Sequence, residues 1–211
     1  HWRVTTTEQA SRIMNDNEIE VVIKPPDSLS SAGVSVVCDS SELTKAMQNA
    51  KAESKGEEII VEEYIRGNLH DVNAYWYDGH CYPCGMADKY APKPPFTYSD
   101  WSRVPTQLDE KNQQAIYKLL ENATRAAGMV HGPVKGDFIL SETGTLYVIE
   151  IAPRFHGPVG TIISFPVVYG LKPMELYLAA VKGSEPKFIN WNATINNLVE
   201  TRSINLEPGK L

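Results

Sequence analysis

The amino-acid sequence predicts a mixed α+β fold whose sheets are antiparallel. Two pairs of strand-like segments are joined by short turns, one at Asp78 and Gly79 and the other across residues 141–144, which read Ser-Glu-Thr-Gly. Both turns are of the kind that closes a β-hairpin, in which consecutive strands are antiparallel. Helical patterns flank these hairpins and do not alternate regularly with single strands, as they would around a parallel sheet.

The first third of the chain predicts two helices and three strands. Thr5 and Glu8 have the spacing of a capping box and predict the start of a short helix. Asp39 and Glu42 repeat this spacing and predict a second helix that runs to about Gly56. The segments rich in valine and isoleucine, which predict strands, are residues 19–25, 34–38 and 57–67.

The rest of the chain predicts two hairpins, two helices and one long loop. The hairpins span residues 70–90 and 134–152, and the helices span residues 109–127 and 172–183. Residues 91–107 contain four prolines and no periodicity, so we expect a loop there. This loop, with Trp101 and Arg103, would either cover a substrate or form a surface for a partner.

Composition and charge argue against several classes of function. The formal net charge of −6 does not suit a general nucleic-acid or lipid binder, because phosphate-rich partners usually select a basic surface. No run of about 18 apolar residues occurs, and no basic-then-apolar leader is found, so we expect a cytoplasmic protein without a membrane span. Cys38, Cys81 and Cys84 are too few for a disulfide framework. The last two are either half-buried strand residues or half of a zinc site that lacks a second pair of ligands.

Two acidic residues of the second hairpin form the first candidate site. If its turn pairs Leu140 with Thr145, Asp137 faces Val148, and Glu150 lies on the same face one diagonal step away. Diagonal neighbours are about 7–8 Å apart, so two carboxylates placed in this way can hold one hard divalent cation. Alternatively, both acids are solvent-facing residues of an exposed sheet.

Arg154 lies just beyond these acids and favours the metal site. Glu150 lies in an otherwise apolar strand, and an unpaired buried carboxylate is costly, so a cation is implied near it. A guanidinium beside two acids suits a phosphate or carboxylate that lies over a metal ion.

A lysine and a hydroxyl-rich loop form the second candidate site. Lys24 ends an apolar strand, and the loop after it contains Ser28, Ser30, Ser31 and Gly33. Backbone N–H groups of such a loop can surround phosphate oxygens while the lysine supplies positive charge. An ordinary hairpin with a lysine on its rim would show the same pattern.

Four segments together resemble the ATP-grasp superfamily in their order and approximate spacing. They are "VVIKPPDSLSSAGV", "IIVEEYIRG", "KGDFIL" and "YVIEIAPRFHG", and the resemblance covers roughly residues 3–182. This superfamily includes biotin carboxylase, carbamoyl-phosphate synthetase, D-alanine ligase and the amino-acid ligases. The resemblance implies an ATP-grasp fold in which two α+β lobes with antiparallel sheets clamp a nucleotide, residues 1–63 forming the smaller lobe and residues 64–211 the larger. It also implies a fragment, with an N-terminal domain of the same protein expected before His1 and a larger lobe that is truncated at its C-terminal end.

The resemblance assigns roles to the phosphate and metal ligands. Lys24 would reach the nucleotide phosphates, and residues 28–33 would form the loop that closes over them. Asp137 and Glu150 would hold magnesium, for which manganese can substitute because both prefer oxygen ligands. Arg154 would steady the γ-phosphate or an acyl phosphate.

The polar end of the third strand, "EEYI", matches the adenine site of the family. Without the resemblance this segment would be interpreted only as a strand with a polar end. Its backbone N–H and C=O groups can nevertheless hydrogen-bond to a flat heterocycle. The resemblance implies that Glu62 takes the adenine amino group. It also implies that the backbones of Glu63 and Ile65 read the adenine edge, with Tyr64 between them.

Two positions depart from the family pattern. The family commonly has asparagine two residues after the second acid, where this chain has Ala152, and this puts a second metal in doubt. Some carboxylase members also read Glu-x-Ala-Pro-Arg. Leu69 falls where many members have an acid near the ribose, so His70, Asp71 or Asn73 would have to substitute, and we assign this role to His70.

The function implied is that of an ATP- and magnesium-dependent ligase. It would join a small carboxylate to an amine or another nucleophile through an acylphosphate, and His156 would either help to position that intermediate or be structural. Two alternatives stay open. One is a carboxylase that makes carboxyphosphate from bicarbonate, and the other is a catalytically silent ATP-binding module, which Ala152 favours.

Overall fold

The computed structural model describes residues 1–91, 99, 101–184 and 197–202, and the chain divides into two compact units. Unit 1 comprises His1–Ile65 and Ala91–Asp100, and unit 2 comprises Arg66–Tyr90 and Trp101–Leu211. The boundary expected after residue 63 lies close to the junction of Ile65 and Arg66. That these units act as the two lobes of a nucleotide clamp stays a prediction.

Unit 1 is a four-stranded antiparallel sheet covered by two helices. Its elements are β1 (Trp2–Val4), α1 (Thr7–Asn17), β2 (Val21–Lys24), β3 (Ser35–Val37), α2 (Leu43–Glu53) and β4 (Ile59–Glu63). The strand order is β1-β4-β2-β3. Apolar residues of both helices, among them Met14, Leu43 and Met47, pack against Ile23 and Val61 of the sheet. The predicted helices and β-branched strands of this part of the chain are therefore confirmed.

Helix α1 begins one residue later than predicted. The hydroxyl of Thr6 accepts a hydrogen bond from the Gln9 N–H at 3.3 Å, and the Gln9 side chain accepts one from the Thr6 N–H at 3.2 Å. The capping box predicted at Thr5 and Glu8 was wrong, because a threonine and a glutamine in the next register make the same reciprocal pair. The predicted cap at Asp39 is present, on a short 3₁₀ turn that leads into α2.

Unit 2 is built on a six-stranded antiparallel sheet. Its strands are β5 (Gly67–Tyr77), β6 (His80–Tyr90), β7 (Trp101–Val104), β8 (Gly132–Ser141), β9 (Leu146–Ala152) and β10 (Val199–Arg202). Its helices are α3 (Glu110–Ala126), α4 (Phe165–Tyr169) and α5 (Pro173–Val181), with a π-helical turn at Val159–Ser164 that runs directly into α4. The strand order is β10-β7-β6-β5-β8-β9, and every neighbouring pair is antiparallel.

The turn between β5 and β6 is the predicted hairpin, whereas β7 was not predicted. Asp78 and Gly79 have φ angles of 48° and 77°, and Tyr77 pairs with His80, as in a two-residue hairpin loop. The loop predicted over residues 91–107 was wrong at Trp101–Val104, which form β7 beside β6. The rest of that prediction lies partly outside the described residues.

Both faces of the large sheet are packed, and β5 supplies side chains to each. Val72, Ala74 and Trp76 join a core beneath α3, while Tyr75 joins a second core with Phe165 of α4. Because side chains alternate along a strand, the polar residues Asp71 and Asn73 share the face of Tyr75. The polar cluster described below therefore lies on the α4 side of the sheet.

The register of the β8–β9 hairpin differs from the predicted one. Leu140 pairs with Leu146, not with Thr145. This slip of one residue alone would place the two candidate acids on opposite faces. A β-bulge in β9 compensates for it, so that Asp137 pairs directly with Glu150 and both acids share one face.

Neither a membrane span nor a cysteine-based metal site is found in the described part of the chain. None of its helices combines the length and the apolar composition needed to cross a bilayer. Its cysteines are free, and burial raises the pKa of both Cys81 and Cys84 to about 12. Since zinc binds thiolates, this favours the interpretation of the pair as strand residues.

Gly67 begins β5 at a point that has no room for a side chain. A β-carbon there would lie 2.3 Å from the carbonyl oxygen of Leu140 and 2.7 Å from the Cα of Ser141. Because this clash is with backbone, we expect Gly67→Ala to lower the free energy of unfolding of unit 2 by roughly 1–3 kcal/mol. Denaturant unfolding measures the change. Gly157→Ala is the matched control, since a β-carbon there meets nothing within 4 Å; equal losses in the two variants would contradict the expectation.

Candidate active site

Asp137 of β8 and Glu150 of β9 face each other on the α4 side of the large sheet. The Nζ atom of Lys135 lies 2.6 Å from Asp137 Oδ2 and 3.7 Å from Glu150 Oε1, so one ammonium group bridges both acids. The Asp137 side chain is only 13% exposed, while that of Glu150 is 59% exposed. The shared face expected from the sequence is present, with the acids directly opposite each other and not diagonal.

The donor set of Asp137 and Glu150 suits a magnesium ion. Magnesium prefers oxygen ligands and is commonly held by one or two carboxylates together with substrate phosphates. The contacts of Lys135 indicate that both carboxylates can approach one positive charge. Within the described residues, no three His, Cys, Asp or Glu side chains converge. The acids therefore fit a cation shared with a phosphate, and their metal role stays a prediction.

Asp71 of β5 is the centre of a buried charge cluster. Its Oδ2 atom lies 2.8 Å from His156 Nε2, 3.2 Å from Lys89 Nζ and 3.8 Å from Lys135 Nζ. Its Oδ1 atom accepts a hydrogen bond from Asn73 Nδ2 at 3.2 Å. Burial raises the pKa of Asp71, but the His156 contact and the charges of Lys89 and Lys135 outweigh it and lower this pKa to about 2. The carboxylate is therefore ionised at neutral pH.

Lys89 joins this cluster to the candidate metal ligands. Its Nζ atom lies 3.2 Å from Asp137 Oδ1 as well as 3.2 Å from Asp71 Oδ2. Burial lowers the pKa of Lys89, but the two carboxylates outweigh that effect and raise it. Two lysines and three carboxylates thus form one connected network on this face of the sheet.

The backbone that follows β9 is fixed at His156 by two side chains. The His156 N–H donates to Asn73 Oδ1 at 2.6 Å, and its carbonyl accepts from the Thr161 hydroxyl at 2.7 Å. Phe155 is buried in the second core. Arg154 is exposed, and its Nη1 donates to the carbonyl of Phe155 at 2.9 Å.

The His156 ring is also closely surrounded. Its Nε2 faces Asp71, and its Nδ1 lies 3.2 Å from the carbonyl oxygen of Gly157. The ring meets Phe165 edge-on, with centroids 6.2 Å apart. A β-carbon at Gly160 would lie 2.4 Å from Nδ1, so the ring occupies space that only glycine leaves.

In unit 1, the structure brings together Lys24 and Glu62. Lys24 Nζ lies 2.6 Å from Glu62 Oε2, and the two side chains are 22% and 33% exposed. They stand on the neighbouring antiparallel strands β2 and β4. The residues predicted for the nucleotide phosphates and for the adenine amino group are thus an ion pair at the surface of unit 1.

The hydroxyl-rich loop after β2 is a tightly bent turn. Ser30, Ser31 and Gly33 have φ angles of 54°, 60° and 73°, in the left-handed region. The Ser28 hydroxyl donates to the carbonyl of Ala32 at 2.7 Å and closes the turn. Left-handed residues can aim successive N–H groups into one concavity, as anion sites require. Its binding of phosphate stays a prediction.

The end of β4 is joined to the β2 side at Tyr64. The Tyr64 N–H donates to the carbonyl of Glu20 at 2.9 Å, on the β2 side. In an extended chain the N–H groups alternate, so those of Glu63 and Ile65 point away from β2. The predicted adenine contact requires this orientation.

Comparison with known proteins identifies the family. The ATP-grasp domain family matches residues 17–162, which is more than half of the chain. This chain belongs to the ATP-grasp family. The predicted α+β fold with two antiparallel sheets is confirmed by this match and by the strand pairing.

Similar proteins are ligases and a carboxylase of greater length. A D-alanine–D-alanine ligase of Geotalea uraniireducens is 30% identical over 149 residues, which are 63% of this chain and 43% of that protein. An L-amino acid ligase from Bacillus licheniformis has a TM-score of 0.73 at 23% identity, over 96% of this chain and 54% of its own. The biotin carboxylase domain of a Hydrogenobacter thermophilus 2-oxoglutarate carboxylase, solved with MgADP, ADP and bicarbonate, has a TM-score of 0.73 at 18% identity, over 92% and 43%. The chain spans about half or less of these proteins, and the two solved structures show the fold alone.

His70, predicted to lie near the ribose, is buried in this ATP-grasp domain. It is 3% exposed, and its Nδ1 lies 2.9 Å from Asp88 Oδ1. Asp88 also accepts hydrogen bonds from the Thr106 hydroxyl and, at 2.8 Å, from the Gln107 N–H. Side-chain alternation puts His70 on the opposite face of the sheet from Asp71. This placement favours a structural role for His70, and a ribose contact stays an untested prediction.

Two charged residues of the ATP-grasp domain, Lys89 and Lys135, were missed as site residues, and Asp71 was named only as an alternative contact near the ribose. A signal was present in the sequence, because Asp71 and Asn73 are polar residues two apart in a strand that is otherwise mainly apolar. Lys135 precedes Asp137 by the same interval. A period of two marks one face of a strand, so both pairs point to a polar patch on a buried sheet.

Asp71 should make the stability of this ATP-grasp domain depend on pH in acid. Its pKa is lowered from 3.8 to about 2, so its stabilising effect is complete above pH about 4 and is lost as the pH falls through about 2. We expect the difference in the free energy of unfolding between wild type and Asp71→Asn to shrink by about 2 kcal/mol over that interval. Denaturant unfolding at a series of pH values measures it. A difference that stays constant from pH 5 to pH 2 would be evidence against the ionised, cation-bound Asp71.

Proposed function

We propose that this chain is the ATP-binding and catalytic part of an ATP- and magnesium-dependent ligase that joins a carboxylate to an amine through an acyl phosphate. The observation that carries the proposal is the direct pairing of Asp137 with Glu150 on one sheet face, beside the ammonium groups of Lys89 and Lys135. Sequence similarity to a D-alanine–D-alanine ligase supports the same class of reaction.

The charge of the cluster suits an anionic reactant. With all five groups ionised, the carboxylates of Asp71, Asp137 and Glu150 exceed the ammonium groups of Lys89 and Lys135 by one negative charge. A magnesium ion held by Asp137 and Glu150 would supply Lewis-acid screening of phosphate oxygens and give this face a net positive charge. The ammonium groups of the two lysines can then donate hydrogen bonds to a phosphate or a carboxylate.

In the proposed reaction the residues of this chain bind and orient the reactants. Lys24 screens the nucleotide phosphates, and Arg154 stabilises charge on the transferred phosphoryl group. The substrate carboxylate attacks the γ-phosphorus of ATP, ADP leaves, and an acyl phosphate results. An amine then attacks the acyl carbon and displaces phosphate. Because neither step needs a protein nucleophile, Asp137 and Glu150 serve as metal ligands and not as an acid/base pair.

A bicarbonate-using carboxylase is the second candidate. The observations that favour it are the run Glu-Ile-Ala-Pro-Arg at residues 150–154 and the likeness of the fold to a biotin carboxylase domain solved with bicarbonate. Such an enzyme would phosphorylate bicarbonate with the same acids and the same arginine. A silent ATP-binding module, suggested by Ala152, is the third possibility.

Measurement of phosphate release separates these functions. We expect the purified protein, with ATP and magnesium, to release phosphate in response to a pool of amino acids and other carboxylates offered with amines. Phosphate release that is stimulated by bicarbonate alone would contradict the ligase and favour the carboxylase. Nucleotide binding with no turnover in either mixture would rule out both enzymes.

Substitution of the paired acids tests the site itself. We expect Asp137→Asn and Glu150→Gln each to lower kcat by roughly 10²–10³-fold, since each removes a charge that holds the metal over the reacting phosphate. Steady-state phosphate release measures this loss. Glu142→Gln is the matched control, because Glu142 is an exposed acid in the turn of the same hairpin and should leave kcat unchanged. Wild-type turnover in both acid variants would remove them from the site.

A further inference from the structure

We infer that Asp71 is a positioning residue for the ligase reaction: acting through His156, it fixes residues 153–157 and thereby places Arg154. This inference rests on the function proposed above. Asp71 lies opposite Asp137 across β5 and β8 and shares Lys89 and Lys135 with it. The route to Arg154 runs through His156 instead.

The anchor is rigid because β5 lies inside the sheet. This strand pairs with β6 on one side and with β8 on the other, over nearly its whole length. Asp71 and Asn73 are both fully buried on the same face of it. They also bind each other, through the 3.2 Å hydrogen bond between Asn73 Nδ2 and Asp71 Oδ1. The two side chains thus form one fixed platform.

Both side chains of this platform contact the same residue, His156. Asp71 holds the ring of His156 through Nε2 at 2.8 Å, and Asn73 holds its backbone N–H at 2.6 Å. Ring and backbone of one residue are therefore fixed from one strand, which leaves little freedom to rotate. The Thr161 hydroxyl donates to the carbonyl of the same residue at 2.7 Å.

The segment presents a functional residue to solvent. Phe155 and His156 are anchored, whereas Arg154 directly before them is exposed. Stabilising charge in a transition state requires a cation whose place is set before the reaction, and a misplacement of about 1 Å costs on the order of 10²-fold in rate. An anchored backbone next to Arg154 meets this requirement.

A second aspartate–histidine pair lies in the same sheet and is more deeply buried. Asp88 and His70 lie 2.9 Å apart on the other face, with side chains only 8% and 4% exposed. The His156 side chain, by contrast, is 26% exposed. The Asp88 pair therefore offers a matched control for the Asp71 pair.

A double-variant cycle tests the inference in the purified protein with ATP, magnesium and a turned-over carboxylate. We expect Asp71→Asn and His156→Gln each to lower kcat by about 10- to 100-fold with the KM for ATP changed less than about threefold. The variant with both changes should lose no more than the worse single variant, because the two residues act in series. Losses that multiply would overturn the inference, since Asp71 would then act by another route, such as Lys89.

The control and a turnover-free measurement complete the test. Asp88→Asn should lower the Tm and leave the kcat of the folded fraction within about threefold of wild type. If Asp88→Asn lost as much kcat as Asp71→Asn, general destabilisation would explain both losses and the inference would be wrong. If the wild type shows no turnover, the proposed function fails. The rate of amide hydrogen exchange still tests whether Asp71 anchors the segment. We expect exchange in residues 154–157 to be at least about tenfold faster in Asp71→Asn and unchanged in Asp88→Asn. Unchanged exchange in Asp71→Asn would overturn the anchoring itself.

Discussion

A carboxylate that water does not reach must be surrounded by positive charge, and Asp71 imposes this requirement on one face of the large sheet. Lys89, Lys135 and His156 come from three different parts of the chain and meet at its Oδ2 atom. Removing one partner of a buried ion pair leaves an uncompensated charge, which costs on the order of 3–5 kcal/mol. Both lysines also reach Asp137, so the charge requirement of Asp71 determines where the candidate metal ligands find their counter-charges.

The two faces of that sheet show how one set of strands serves both stability and chemistry. The face beneath α3 is mainly apolar, with the polar pair of Asp88 and His70 near its end. The other face is apolar where α4 covers it and charged where it is left open. Such a division suits an ATP-grasp domain, because a rigid hydrophobic layer directly behind the charged one keeps the ionic groups in place.

The sequence was sufficient for the two hairpins, for the longer helices and for the family, and it placed Asp137 and Glu150 on one face, although as diagonal neighbours and not as a direct pair. It reached the last result through a wrong register, because a β-bulge in β9 leaves no recognisable mark in the residues that form it. Helix α4 was not predicted. Strand β7 was not predicted because prolines on both sides of Trp101 indicated a loop. A contact with β6 supports the strand, since the Trp101 ring stacks on the Tyr90 ring with centroids 3.8 Å apart. The charge cluster around Asp71 was not predicted because its members are far apart in sequence, and only the folded sheet brings Lys89, Lys135 and His156 to this carboxylate.

The close approach of Gly160 to the His156 ring couples these two positions in any attempt to redesign the domain. A methyl group at residue 160 would have to occupy the space of the imidazole, so a larger side chain there is compatible only with a smaller or displaced one at residue 156. Engineering of the segment after β9 therefore has to vary both positions as a unit. A library that randomises residue 160 alone samples mainly variants in which the ring is pushed away from Asp71, and one that randomises residue 156 alone samples variants that lack this ring.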